Sequence, residues 1–256
     1  MIRLKTKEQI ASIRESCRIV AETLEALGRI VEPGLSTIEL DRWAVDLIKV
    51  QKAIPAFKDY RGFPANICVS VNEEVVHGIP GGRVLVEGDI VSIDVGVLKD
   101  GYFGDGAATF PVGEISEQAQ KLLEVTELSL MKGVEKATPD NHLGDVSHSI
   151  QKCVESFNLS VVRDLVGHGV GLEMHEDPQI PNYGSAGCGP LLVEGMVLAI
   201  EPMVNLGGWE VETLDDRWTV ITKDRSLSAH FEHTVAICDD GARILTQVDS
   251  TASRRS

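Results

Sequence analysis

The chain has 256 residues, and 24 Lys and Arg against 39 Asp and Glu give a formal net charge of −15, which argues against a nucleic-acid reader whose affinity rests on phosphate neutralisation. A hydrophobic share of 43% and a charged share of 25% match the globular average, excluding a disordered or fibrous chain and allowing a sizeable core. No apolar run reaches a membrane span, the first residues lack a signal peptide's apolar centre, and five cysteines without a C-x-x-C pair exclude a disulfide framework or cysteine-zinc site.

The expectation is therefore a cytoplasmic protein with no DNA or membrane partner, its cysteines mostly buried as small hydrophobes. Ile10, Ile13, Cys17, Val20, Leu24 and Leu27 recur at steps of three and four and predict an amphipathic helix. Ser36-Thr37-Ile38-Glu39 is a capping box ahead of a second helix through Leu40, Ala44, Leu47 and Ile48. Strands are expected at 67–71 and 90–98. Ser116 can cap a third helix through Leu122, Val125 and Leu128, and a fourth covers 146–154. Further strands are expected at 161–166, 197–204 and 230–237, and the polar tail 249–256 reads as disordered. Helices ahead of hairpin-linked strands indicate an α+β architecture.

A faint repeat organises these elements. Val86-Glu87-Gly88-Asp89-Ile90-Val91-Ser92-Ile93-Asp94 resembles Val193-Glu194-Gly195-Met196-Val197-Leu198-Ala199-Ile200-Glu201 at an offset of 107, and Pro33 is echoed by Pro139 at an offset of 106. Two matching blocks at one spacing suggest one domain over 1–248 made of related halves, 1–114 and 115–248.

The acids carry the chemistry. Asp94 interrupts an apolar strand, on the face opposite Val91, Ile93, Val95 and Val97. Asp100-Gly101 signals a type I′ hairpin turn, which pairs Lys99 with Tyr102, Gly96 with Asp105 and Asp94 with Ala107. Asp105 then lies diagonally beside Asp94, roughly 7–8 Å away, where like charges call for a proton or a cation. Glu201 holds the Asp94 position of the second repeat, and Glu232 is another acid in an apolar strand.

Three histidines border glycine or an adjoining turn: His77 before Gly78, His168 within Gly167-His168-Gly169-Val170-Gly171, and His175 seven residues later, so that a loop must turn between the last two. His142, His148, His230 and His233 read as structural. Four carboxylates with an imidazole suit Mn, Fe(II), Co or Zn in pairs, as in a two-metal hydrolytic site.

On these residues the chain resembles the type I methionine aminopeptidases, from about residue 4 to 248. The family's ordered ligands Asp, Asp, His, Glu, Glu fall on Asp94, Asp105, His168, Glu201 and Glu232, and its adjoining histidines on His77 and His175. The chain is similar to the short bacterial form without a zinc-finger extension, and the 26 positions from His175 to Glu201 leave no room for the helical insertion of type II enzymes. The resemblance implies the pseudo-twofold pita-bread α+β fold. It also implies two divalent ions, with Asp94 on one, His168 and Glu201 on the other, and Asp105 and Glu232 bridging. Glu201 would accept a proton, His175 would stabilise the oxyanion, and His77 would contact the scissile amide. Phe57, Tyr60, Phe63, Cys68, Met174 and Trp218 match the methionine pocket, with His77 and His175 beside it.

Phe57 stands where bacterial members often carry Cys, and Met174 where Phe is common. Phe103-Gly104-Asp105-Gly106 departs from a His and a Thr flanking the glycine and aspartate. These changes touch the pocket and leave the ligand set intact. The implied substrates are N-terminal methionyl peptides and nascent chains with a small second residue. The implied protein is a cytoplasmic monomer with transient ribosome contact. The competing expectations are a prolidase or X-Pro aminopeptidase on the same fold, and a non-catalytic module that has kept it.

Overall fold

Among the described residues, four α-helices form where local signals place them. The computed structural model describes residues 1–248, so the tail expected to be disordered lies outside the described residues. Helix α1 (Lys7–Ile30) opens on Thr6, whose hydroxyl accepts from the Gln9 N–H while the Gln9 side chain accepts from the Thr6 N–H. At α2 (Thr37–Val50), the Glu39 carboxylate accepts from the Ser36 N–H at 2.9 Å. Ser116 caps α3 (Glu117–Lys136). Helix α4 (Leu143–Ser156) begins at His142, whose N–H donates to Asp145 at 2.7 Å. Each reciprocal bond satisfies an amide that the helix leaves unpaired.

The strands are β1 (Ile54–Pro55), β2 (Cys68–Val71), β3 (Glu74–Val76), β4 (Ile90–Lys99), β5 (Tyr102–Pro111), β6 (Ser160–Val161), β7 (Val166–Gly169), β8 (Glu176–Pro181), β9 (Val197–Ile200), β10 (Met203–Asn205), β11 (Val211–Thr213), β12 (Val220–Thr222), β13 (Ser228–His230), β14 (Glu232–Cys238) and β15 (Gly241–Ile244). The main sheet runs β1-β4-β5-β14-β9-β7-β8, with β2 also on β4 and β15 on β14; β13-β10-β6 and β11-β12-β3 form two smaller sheets. Every pairing in the three sheets is antiparallel. Within the described residues no helix is long and apolar enough to cross a membrane.

Strand alternation decides which way the sheet faces. Val91, Ile93, Val95 and Val97 bury against Ile19, Val20 and Leu27 of α1 and Leu40, Ala44 and Ile48 of α2. In the second half, Leu198, Ile200, Val235 and Ile237 pack on Leu122 and Leu130 of α3 and Val146 and Ile150 of α4. Each such side chain contributes about 1.5–3 kcal/mol of burial, so the helices hold to one face. The opposite face is left to Asp94 and its neighbours. Helix α1 comes so close to β5 that a Cβ on Gly104 would lie 2.6 Å from the Cys17 nitrogen.

The repeat reappears as hydrogen bonds. Helices α2 and α4 each have 14 residues and start 106 positions apart. The bridge of Ser36 with Val84 recurs as His142 with Leu191. The Thr37 N–H donates to Arg83 O at 2.9 Å and the Leu143 N–H to Pro190 O at 2.9 Å, while Leu85 donates to Leu35 and Leu192 to Asn141, both at 2.8 Å. Gly88 and Gly195 share a left-handed turn conformation, φ +92° and +91°.

Three expected strands are corrected. The stretch 161–166 is the end of β6 and the start of β7, 197–204 is β9 and β10, and 230–237 is β13 and β14. In each, the chain passes from a small sheet to the main one or back, with the breaks at 162–165, at Glu201-Pro202 and at Phe231. Pro202 lacks the N–H that would carry the ladder past Glu201. The cysteine expectation also changes: all five are unbridged, but only Cys17 and Cys68 are buried, while Cys188 is exposed.

Candidate active site

The hairpin turn sets the register of the acids. Asp100 and Gly101 take φ +49° and +84°, as a type I′ turn requires, and Asp94 pairs with Ala107 while Gly96 pairs with Asp105. Ala107 pairs in turn with Glu232 of β14, and on its other side Asp94 pairs with Cys68 of β2. Glu201 follows directly on β9, whose Ile200 pairs with His233. One row across the sheet therefore carries Asp94 and Glu232, with Asp105 two residues along β5. Asp105 is locked by its backbone: its N–H donates to the Thr234 hydroxyl at 3.3 Å, and that hydroxyl donates to the Asp105 carbonyl at 2.7 Å.

His168, on β7, is the imidazole of the cluster. Its Nδ1 lies 2.9 Å from the Gly169 carbonyl, which can only accept, so Nδ1 carries the proton and Nε2 presents a lone pair. That lone pair faces Asp105 Oδ2 at 3.6 Å and Glu201 Oε1 at 3.5 Å. Burial keeps His168 neutral, its pKa lowered to about 4. Three acceptors facing one another need a proton or a cation between them.

The carboxylates agree. Burial pushes Asp94 up to about 7. It also raises Asp105, Glu201 and Glu232 well above the usual carboxylate range, and the charges of the neighbouring acids raise them further. Among the described residues, Asp94 Oδ1 and Glu232 Oε1 are buried without a hydrogen-bond partner. Asp105, His168 and Glu232 offer ligand atoms all within 4.8 Å of one another. Orphaned acid oxygens around a neutral imidazole fit a divalent cation, since unpaired buried charges cost several kcal/mol each.

The other histidines divide. His175 lies in the turn between β7 and β8, its ring 4.2 Å from that of His168, stacked on Tyr60 at 5.2 Å, with Nδ1 2.9 Å from the Tyr60 hydroxyl. Burial drives its pKa down to about 3. His77 takes φ +60° and meets Trp218 edge-on at 6.3 Å. The glycine after it is obligatory, because a Cβ on Gly78 would sit 2.2 Å from the Val69 carbonyl oxygen. His142 caps α4, His148 contacts the Gly184 carbonyl, and His233 contacts the Thr246 hydroxyl.

His230 is the histidine that sequence reasoning set aside and the structure places at the acids. It is 2% exposed, and its Nε2, 3.7 Å from Glu201 Oε2, has no hydrogen-bond partner among the described residues. Its spacing of two residues from Glu232 was the available signal, since alternate residues of a strand share a face.

A cavity of ≈ 130 Å³ opens over the acids, lined by Phe57, Tyr60, Phe63, Cys68, His77, His175 and Trp218. That is close to the ~150 Å³ occupied by one benzene-sized group, so it takes a single side chain. Met174 is buried beside Phe57. Gly96 makes room for both, because a Cβ there would meet Phe57 at 2.5 Å and Met174 at 3.0 Å. Arg61, which sequence reasoning missed, also lines the cavity and lies 5.3 Å above the Tyr60 ring.

A curled antiparallel sheet backed by paired helices, with buried acids and an imidazole on its free face, defines a metallohydrolase of the pita-bread fold. Residues 11–239 match the profile of metallopeptidase family M24. The chain is 58% identical over 247 residues to the methionine aminopeptidase of Clostridium acetobutylicum, covering 96% of this chain and 99% of that one. It superposes on the crystal structure of methionine aminopeptidase from Thermotoga maritima with a TM-score of 0.95 at 48% identity, covering 96% and 100% of the two chains. The prolidase of Pyrococcus furiosus is more distant, with a TM-score of 0.77, 26% identity, and 96% of this chain but 66% of that one covered. The chain belongs to metallopeptidase family M24, within its methionine aminopeptidases.

Proposed function

We propose that this enzyme releases the N-terminal methionine from peptides and nascent chains whose second residue is small, and that Asp94, Asp105, His168, Glu201 and Glu232 hold two divalent ions drawn from Mn, Fe(II), Co and Zn. When bound, such ions supply an acidified water, a Lewis acid for the scissile carbonyl and an anchor for the substrate's free α-amine. The observation that carries the reading is the buried acid cluster opening onto an apolar cavity sized for one side chain.

The chain's own residues then have distinct tasks. Phe57, Tyr60, Phe63, Cys68, Met174 and Trp218 enclose the methionine side chain and exclude water. Glu201 accepts the proton of the attacking water, with His230 beside its second oxygen. With Nδ1 accepting from the Tyr60 phenol, His175 keeps its N–H on Nε2 and donates to the developing oxyanion, a contribution of about 10²–10³ in rate for such a donor. His77, whose pKa burial lowers, contacts the scissile amide and assists the leaving amine.

We also read 1–248 as one catalytic domain of two related halves, 1–114 and 115–248, a reading supported by the recurring hydrogen bonds. The test of function is turnover of Met-Ala-Ser with and without chelator. Methionine release that chelation abolishes and Mn or Co restores is the expected result. A metal-loaded enzyme that leaves Met-Ala-Ser intact and cleaves an X-Pro peptide overturns it in favour of a prolidase.

A further inference from the structure

Among the described residues, Lys5 and Glu176 form a buried ion pair, in contrast to the lysine and arginine pairs of the surface. Nζ and Oε2 are 2.6 Å apart, and the two side chains are 1% and 2% exposed, whereas pairs such as Arg3 with Glu173 and Arg225 with Glu212 lie in solvent. The second oxygen of Glu176 is also committed: Oε1 accepts the N–H of Leu172 at 2.7 Å and of Glu173 at 3.0 Å. Burial pushes the Glu176 pKa up, but the Lys5 hydrogen bond and the two amides outweigh it and hold the carboxyl below its usual range.

Lys5 is itself fixed, since its N–H donates to Gly195 O at 2.7 Å. The pair thus joins three pieces of chain: the segment before α1, the turn entering β9, and the turn 170–176 between β7 and β8. That last turn has Gly171 at φ +141° and ends on His175, one residue before Glu176. A buried ion pair is a weak source of net stability, and its best-attested use is to specify one conformation. Here the conformation specified is that of the turn bearing the proposed oxyanion donor.

We propose that Lys5 is a positioning residue: through Glu176 it holds the turn 170–176 so that the His175 imidazole stays between His168 and Tyr60, at the mouth of the cavity. The inference rests on the role of His175 given under the proposed function. It acts on a group that contributes in the transition state, so loosening it lowers kcat and leaves KM nearly unmoved.

The test is a double-mutant cycle in the full-length, metal-loaded enzyme, joined to amide exchange in the metal-free protein. Lys5→Met is expected to lower kcat by about 10–100-fold, the scale of a misplaced catalytic group. In a His175→Ala background it lowers kcat by less than about twofold, because the group it positions is gone. Exchange of the Leu172 and Glu173 amides quickens at least about tenfold as the turn opens more often. Lys5→Arg, which keeps the charge, recovers part of the kcat. Should Lys5→Met not fold, Glu176→Gln carries the same cycle. Equal losses of kcat with and without His175, or unchanged amide exchange, overturn the positioning role. If His175→Ala alone leaves kcat intact, it is the proposed role of His175 that fails, and the exchange measurement still decides whether Lys5 holds the turn.

Discussion

The two halves of the molecule place acids at one centre by different means. The first half does it with an unbroken hairpin, β4 and β5, paired over ten residues each with Asp94 and Asp105 inside the ladder. The second half does it where strands break: Glu201 follows the end of β9 and Glu232 begins β14. An intact ladder holds its acids rigidly and leaves no space for other groups. A broken one admits them, and His168, His175 and His230 all come from the second half, whereas most of the cavity's aromatic lining, Phe57, Tyr60 and Phe63, comes from the first. The proposed division is that the first half shapes most of the substrate pocket and places His77 at the scissile amide, while the second supplies Glu201 and His175 for the proton acceptor and the oxyanion donor.

The sharpest way to break this comparison is to remove one acid from each half. Asp105→Asn and Glu232→Gln are each expected to lose metal and to cut turnover by about 10³-fold or more, the worth of a metal's several kcal/mol, with the circular-dichroism spectrum retained. Parent-rate hydrolysis by either variant contradicts its assignment as a ligand. His230→Ala tests what the broken ladder adds: kcat is expected to fall about 10–100-fold with metal content kept, as for other groups that orient a ligand. An unaltered kcat makes His230 a core histidine.

Proton competition gives a smaller, graded effect. Asp94 has a pKa of about 7 in the metal-free protein, and Asp105, Glu201 and Glu232 are raised as well, so metal must displace protons below that pH. Apparent affinity is then expected to fall by about tenfold per pH unit for each proton displaced as pH drops below about 7. His168, lowered to about 4, does not compete in that window. Calorimetry in buffers of different ionisation enthalpy measures the release directly, and a proton count of zero at pH 6 contradicts the raised values. The smallest effect compares the twin turns. Gly88→Ala and Gly195→Ala each meet a left-handed backbone that costs a residue with a Cβ about 1–2 kcal/mol. At Gly195 the new Cβ also lies 2.9 Å from Lys5 O, while at Gly88 nothing is nearer than 3.9 Å. The second-half variant should therefore be less stable in urea melts, and equal losses would show that the Lys5 segment yields freely.

Much of the site was legible in the chain because its signals are local. The four helices follow from apolar spacing and capping residues, and the Asp94–Asp105 register follows from Asp100-Gly101 alone, since a two-residue turn fixes every pair behind it. The strand breaks at Pro202 and Phe231 were not legible. An apolar run looks the same whether it stays in one sheet or crosses to another, and that ambiguity also hid His230. Arg61 escaped because a charged residue in a polar loop carries no signal of the cavity it borders.

By itself the sequence determined which residue types were available and how neighbours within a helix or hairpin would face, because those depend on steps of two to four residues. Only the tertiary structure decided which distant groups would meet. Lys5 and Glu176 are separated by 171 positions, and nothing local to either predicts a partner. Their pairing, like the approach of His168 to Asp105 and Glu201, arises when the helices bury one face of a folded sheet and leave the polar groups of the other face to satisfy one another.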